Sequence, residues 1–140
     1  AQTRDLSKGL DTELVVYGRL PLMITENCLV QNETGCRLDR QGLCVPEDGP
    51  CRCGQPNVLV DRTGAAFPLL PAYGHRTEIQ NSKPLYLADR PEHRRLGLAY
   101  ARLRFTTETA EECVSVVQNY LDAAPAAGDF TRGLYERGVE

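Results

Sequence analysis

Thr25-Glu26-Asn27-Cys28 opens a run that continues through Cys36 and Cys44 to Cys51-Arg52-Cys53, and what holds this run together decides what the chain is. Five of the six cysteines lie in it, and Cys113 stands alone. Between Cys28 and Cys53 the sequence is rich in Asn32, Glu33, Gly35, Arg37, Asp39, Arg40, Gly42, Pro46, Glu47, Asp48, Gly49 and Pro50. It keeps no helical or strand period and is expected to be a loop. A loop of that length without structure of its own is uncommon in a compact domain. A bound metal would make it foldable, because metal-binding free energy becomes folding free energy.

Three cross-links are available to such a run. Disulfides suit small secreted chains, but Ala1-Gln2-Thr3-Arg4-Asp5 is polar and carries no signal-peptide pattern. The thiols also crowd one segment, where a disulfide framework would spread them over the chain. Cys51 and Cys53 are one residue apart, an awkward spacing for bridging each other. Structural zinc usually draws on paired CxxC knuckles. Here the gaps are seven, seven, six and one residues, and no CxxC occurs. An iron–sulfur cluster also needs thiolates and tolerates irregular spacing. Cysteine count and spacing leave zinc and a cluster both open.

The 140 residues, 41% hydrophobic with a net charge of −3, suit one domain or part of one. That charge gives no global attraction to nucleic acid or to an anionic membrane. No apolar run is long enough to cross a bilayer, so no membrane role is expected.

Working outward, Leu6 and Leu10 suggest helical turns before Glu13-Leu14-Val15-Val16-Tyr17-Gly18, a strand stopped by glycine. Pro21 argues against a regular central strand over Arg19–Ile24. Residues 58–70 read as a β-hairpin around Asp61-Arg62-Thr63-Gly64, with Pro68 placing its second strand at an edge. The stretch 73–84 is polar, with many side-chain donors and acceptors. Residues 85–124 read as strand, helix, strand, helix. Leu85–Asp89 is the first strand, and Pro91–Gly97 is a short helix with Asp89 as its cap. Ala99–Phe105 alternates Ala101, Leu103 and Phe105 against Arg102 and Arg104. Thr109-Ala110-Glu111-Glu112 is a capping box before a helix whose apolar stripe reads Cys113, Val114, Val117, Tyr120, Leu121 and Ala124. Cys113 is expected in the core, and His93 is expected to face solvent. The alternation predicts an α/β fold: the C-terminal portion of a (β/α) TIM-like barrel, interrupted by a Cys-rich loop (28–57) and a β-hairpin insertion.

Several blocks together resemble the later part of the peptidase U32 family. They are Glu13–Met23, Thr25–Cys28, Asp61–Gly64 with Phe67-Pro68, Asn81–Arg90, Arg102–Glu108 and Phe130–Tyr135. Their order covers nearly the whole chain. The resemblance implies that residues 1–140 are part of a barrel-type, cytoplasmic catalytic domain, completed by an N-terminal part of the same polypeptide. It implies either collagenase-like peptidase activity or oxygen-independent hydroxylation of RNA or a quinone precursor, with a 4Fe-4S cluster in several members. In either case the chain would be an enzyme only as part of that longer polypeptide. Zinc in a non-catalytic module is a further alternative.

The ligand set the resemblance implies is Cys28, Cys36, Cys51 and Cys53. His75-Arg76 stands where many relatives have Cys-Arg, so His75 is a further candidate metal ligand. RNA or a small carboxylate co-substrate would call for guanidinium groups, which grip such anions in two-pronged fashion. Arg19 and Arg104 are the candidates at strand ends, and Arg76 is the candidate substrate-binding residue beside the loop. Glu26 and Glu108 are the candidate proton carriers. For the peptidase reading the sequence offers no HExxH helix and no GxSxG elbow, and Ser7, Ser82 and Ser115 carry no nucleophile signature.

Overall fold

The structure, a computed structural model, describes residues 9–40, 44–46, 49 and 51–133. The expectations placed on Leu6, Ser7 and Leu134-Tyr135 lie outside the described residues. The chain divides into two compact units, one from Ala1–Arg19 with Lys83–Glu140 and one from Leu20–Ser82.

The first unit is built on β1 (Glu13–Gly18), the middle strand of a three-stranded sheet. On one side β1 pairs antiparallel with β8 (Leu85–Tyr86), and on the other it pairs parallel with β9 (Tyr100–Leu103). The apolar run Leu14-Val15-Val16, with its two β-branched valines, suits a strand covered on both faces, and Val16 is fully buried. Gly18 is required by a close approach: at φ +120°, a Cβ there would stand 2.0 Å from the Arg104 carbonyl oxygen. Arg104 N–H donates to the Tyr17 carbonyl at 2.9 Å, which holds the chain leaving β9 against β1.

Helix α2 (Ala110–Leu121) starts with the capping box that the sequence spelled. Its Thr109 side chain accepts from Glu112 N–H, and the Glu112 carboxylate accepts from Thr109 N–H at 2.7 Å. The helix packs Val116 and Tyr120 on Tyr17, Tyr86 and Ala88, joined by Leu103, Phe105, Ala126 and Phe130. Tyr17 meets Tyr120 and Tyr86 edge-on, with ring centroids 6.2 and 6.4 Å apart, a favoured aromatic geometry. The Tyr120 hydroxyl donates to the Val16 carbonyl and accepts from Leu87 N–H, so a buried phenol is satisfied on both counts.

In the second unit four antiparallel strands run in the order β2-β7-β6-β5: β2 Pro21–Thr25, β7 Arg76–Gln80, β6 Ala66–Ala72 and β5 Asn57–Val60. The turn joining β5 to β6 is built by Asp61. Its carboxylate accepts from Thr63 N–H, the Thr63 hydroxyl and Ala65 N–H at 2.7–3.0 Å, and Gly64 takes φ +85°.

The barrel expectation is overturned. The described residues form small sheets with one helix longer than two turns, no closed barrel and a single parallel strand pairing, β1 with β9. The expected alternation counts elements that do not exist as such. Pro91–Arg95 is a 3-10 turn, too short to act as a crossover helix, and its cap residue is Arg90. Asp89 is occupied elsewhere, by a two-pronged Arg132 guanidinium at 2.6 and 2.7 Å. The polar stretch Arg76–Gln80 is an interior strand with Thr77 and Gln80 fully buried, and β6 is interior despite Pro68, leaving β5 at the edge.

The stripe of α2 is rotated from the predicted one. Val114 and Leu121 are exposed while Val116 faces the core, and Cys113 is half-buried. His93, expected in solvent, is buried.

Candidate metal centre

The second unit gathers thiols where the sequence has no core. Cys28 precedes a six-residue helix, α1 (Leu29–Thr34), whose Leu29 N–H is taken by the buried Thr77 hydroxyl at 2.9 Å. Gly35 ends α1 in the left-handed conformation (φ 67°), the usual way for a helix to stop and reverse. The turn delivers Cys36 into the interior, with the Thr34 hydroxyl 3.1 Å from its Sγ. Next, β3 (Arg37–Leu38) pairs antiparallel with β4 (Cys44–Val45), Leu38 opposite Cys44, so this two-residue ribbon returns Cys44 to the neighbourhood of Cys36. Cys51 leads into a 3-10 turn, Arg52–Gly54, which carries Cys53. The Asn57 side chain fixes that turn by donating to the Arg52 and Gln55 carbonyls at 2.9 and 2.7 Å. The expectation of a structureless loop is therefore corrected: short elements too brief to leave a period in the sequence place each thiol.

The Sγ atoms of Cys36, Cys44 and Cys51 all lie within 4.8 Å of one another, so these residues can hold a metal ion. Cys53 joins through Cys51, their sulfurs 2.9 Å apart, and Cys51 is 3.3 Å from Cys44. All six cysteines are free thiols, which removes the disulfide alternative in this structure.

Electrostatically the cluster behaves as one thiolate shared among protonated neighbours. Hydrogen bonding from Cys53, then from Cys44, draws Cys51 down to about 7. The reciprocal bond to Cys51, with burial, pushes Cys44 up to about 12 and Cys53 up to about 11. Cys28, buried at the N-cap of α1, is not one of the trio. An all-sulfur donor set of this kind selects soft ions: zinc, copper(I) or iron in a cluster.

Cys44, absent from the predicted set, is brought into the trio by the pairing of β3 with β4. His75, the expected alternative ligand, sits in the tight turn between β6 and β7 at φ 58°, outside the thiol trio. The neighbouring Arg76 is paired with Glu26 at 3.1 Å on the surface of the same unit. Two candidates, one for substrate and one for protons, therefore neutralise each other.

The remaining candidates meet in the first unit. Burial works to raise the Glu108 carboxyl, but the backbone N–H groups of Thr106, Glu108 and Thr107, with the Tyr17 hydroxyl, hold it below its ordinary range. The bonds from Thr106 and Thr107 are 2.7 and 3.0 Å, and that from Tyr17 is 3.2 Å. Burial and the Glu108 charge keep the Tyr17 phenol protonated well beyond its usual range. Arg104 donates to the Arg19 carbonyl at 2.7 Å, and Arg19 donates to the Thr107 hydroxyl at 3.4 Å. Tyr17, Arg19, Tyr86, Glu108, Asn119 and Phe130 line a cavity of about 510 Å³. Glu108 is ionised and Tyr17 protonated near neutrality, so this pair can accept and donate hydrogen bonds in that cavity.

Among the described residues no helix is long and apolar enough to cross a membrane. No family model, curated protein or solved structure matches this chain.

Proposed function

We propose that this chain carries the iron–sulfur centre of a cytoplasmic enzyme of the peptidase U32 type, acting in hydroxylation of RNA or a quinone precursor as part of a longer polypeptide. The observation that carries the reading is the convergence of Cys36, Cys44 and Cys51, with Cys53 beside them. The donor set is wholly sulfur, five thiols lie in one unit, and none belongs to a CxxC knuckle. The U32 resemblance of the flanking blocks joins this reading to the cysteines and not to a barrel.

A bound cluster would supply one-electron transfer, its potential tuned by burial and by hydrogen bonds to sulfur. The chain's own contribution is to present the thiolates. Cys36 lies in the interior, and the ribbon and the 3-10 turn bring Cys44, Cys51 and Cys53 against it. In this reading the Tyr17–Glu108 pair and Arg19 form a separate polar cavity, suited to orienting a carboxylate or hydroxyl group.

One observation favours zinc as a second reading. A tetrahedral ion with Zn–S of about 2.3 Å separates its sulfurs by just under ~4 Å, and the three sulfurs here all lie within 4.8 Å of one another.

Anaerobic purification with iron, acid-labile sulfide and zinc assays and a visible spectrum distinguishes the two. Iron with matching sulfide and a broad visible absorption, lost in Cys44→Ser, is the expected result. Stoichiometric zinc without iron would establish the second reading, and protein that binds neither would remove both.

A further inference from the structure

We propose that the first unit contains a binding site for a small apolar carboxylic acid, in the cleft between β9 and α2. The cleft has a volume of about 360 Å³ and is walled by Leu98, Leu103, Val117 and Leu121, with His93 and Arg94 also lining it. That size and lining suit a small-molecule pocket: apolar walls with few polar groups to fix orientation.

His93 is what distinguishes the cleft from a bare apolar face. It is only 4% exposed, and its Nδ1 is buried without a hydrogen-bond partner. Buried polar atoms are nearly always paired, so an unpartnered imidazole nitrogen beside an apolar pocket points to a group that arrives from outside. The polar lining also fixes the sign of that group. His93 and Arg94 lie on one 3-10 turn, Pro91–Arg95, whose last residues are all basic: His93, Arg94 and Arg95. The Arg94 guanidinium, holding the Tyr120 carbonyl at 2.7 Å, is fixed at the lining of the cleft. A carboxylate accepts from both imidazole and guanidinium, and its hydrocarbon body covers Leu103, Val117 and Leu121. Leu121, 71% exposed at present, would gain the cover it lacks. This site belongs to the first unit and is independent of the cysteine centre.

The test is calorimetric titration of the whole chain with octanoate, and with octanol as the uncharged control. Saturable binding of octanoate, at least roughly tenfold tighter than octanol, is expected from the charged hydrogen bonds. His93→Leu, which keeps an apolar wall, should lose roughly tenfold for octanoate and leave octanol unchanged. If His93→Leu does not fold, Leu121→Glu at the exposed rim takes its place and must weaken octanoate without lowering the melting temperature. Equal binding of octanoate and octanol, no binding of either, or undiminished octanoate affinity in the folded variant overturns the proposal. So does a dimer through this cleft that octanoate does not dissociate.

Discussion

The two units solve the folding problem by different means. The first buries Tyr17, Tyr86 and Ala88 under Phe105, Val116, Tyr120 and Phe130, and its polar groups are tied into the same cluster. In the second, the buried apolar residues among those described are few: Val30, Pro68, Leu69 and Ile79, with two of its five cysteines, Cys28 and Cys36. Its sheet leaves Leu22, Met23 and Ile24 on β2 and Val58, Leu59 and Val60 on β5 about half exposed or more. Where apolar burial is that thin, a cross-link must contribute, and the thiols are the groups placed to supply it. The contrast teaches that the unit whose thiols can hold a metal ion is also the one with the thinner apolar core, so on the proposed reading its stability depends on that ion.

Removing the metal should give the largest effect and fall on one unit. Structural metal sites contribute on the order of 10 kcal/mol or more to folding. With metal withdrawn by a chelator, hydrogen exchange should show lost protection over Leu20–Ser82, while amides of β1 and α2 stay protected. Equal loss in both units would break the contrast. Gly18→Ala should act on the other unit: its Cβ would clash with the Arg104 carbonyl at 2.0 Å and hold a strained φ, for about 3 kcal/mol lost. Thermal unfolding of the metal-loaded protein should show that loss in the first unit with metal content unchanged.

The pair of Asp89 and Arg132 sharpens the comparison by pH. The Arg132 hydrogen bonds hold the Asp89 carboxyl below its ordinary range, against burial. Its stabilising contribution is therefore complete above the unfolded value of about 3.9 and is lost as pH falls through the lower folded value. Asp89→Asn should cost roughly 1–2 kcal/mol at neutral pH and flatten the acid limb of stability, read by denaturant titration at several pH values. The smallest effect belongs to the exposed pair Arg76–Glu26, where Arg76→Ala should change stability by about 0.5 kcal/mol or less. A larger loss, measured in the same way, would mean that the second unit leans on surface charge more than on its thiols.

What the sequence revealed follows from the same contrast. Strong local signals were legible: the Val-rich β1, the Asp61–Gly64 turn, the Thr109–Glu112 capping box and the crowding of cysteines. Each is written in neighbouring residues. The barrel was misread because a 3-10 turn at Pro91–Arg95 and a two-residue strand at Leu85–Tyr86 imitate the punctuation of βα units without their length. The interior strand Arg76–Gln80 was invisible because two of its buried positions are polar: the Thr77 hydroxyl accepts from Leu29 N–H in a distant segment, and the Gln80 amide donates to Glu78 on the same strand. Cys44 entered the metal site through a β-ribbon register, which no spacing rule encodes.

The most direct test of the thiol centre is X-ray absorption at the metal edge of the natively purified protein. The account predicts a coordination shell of sulfur alone, which loses sulfur when Cys36, Cys44 or Cys51 is replaced by serine. A shell dominated by nitrogen or oxygen, or a chain that keeps Leu20–Ser82 folded with no metal at all, would contradict it.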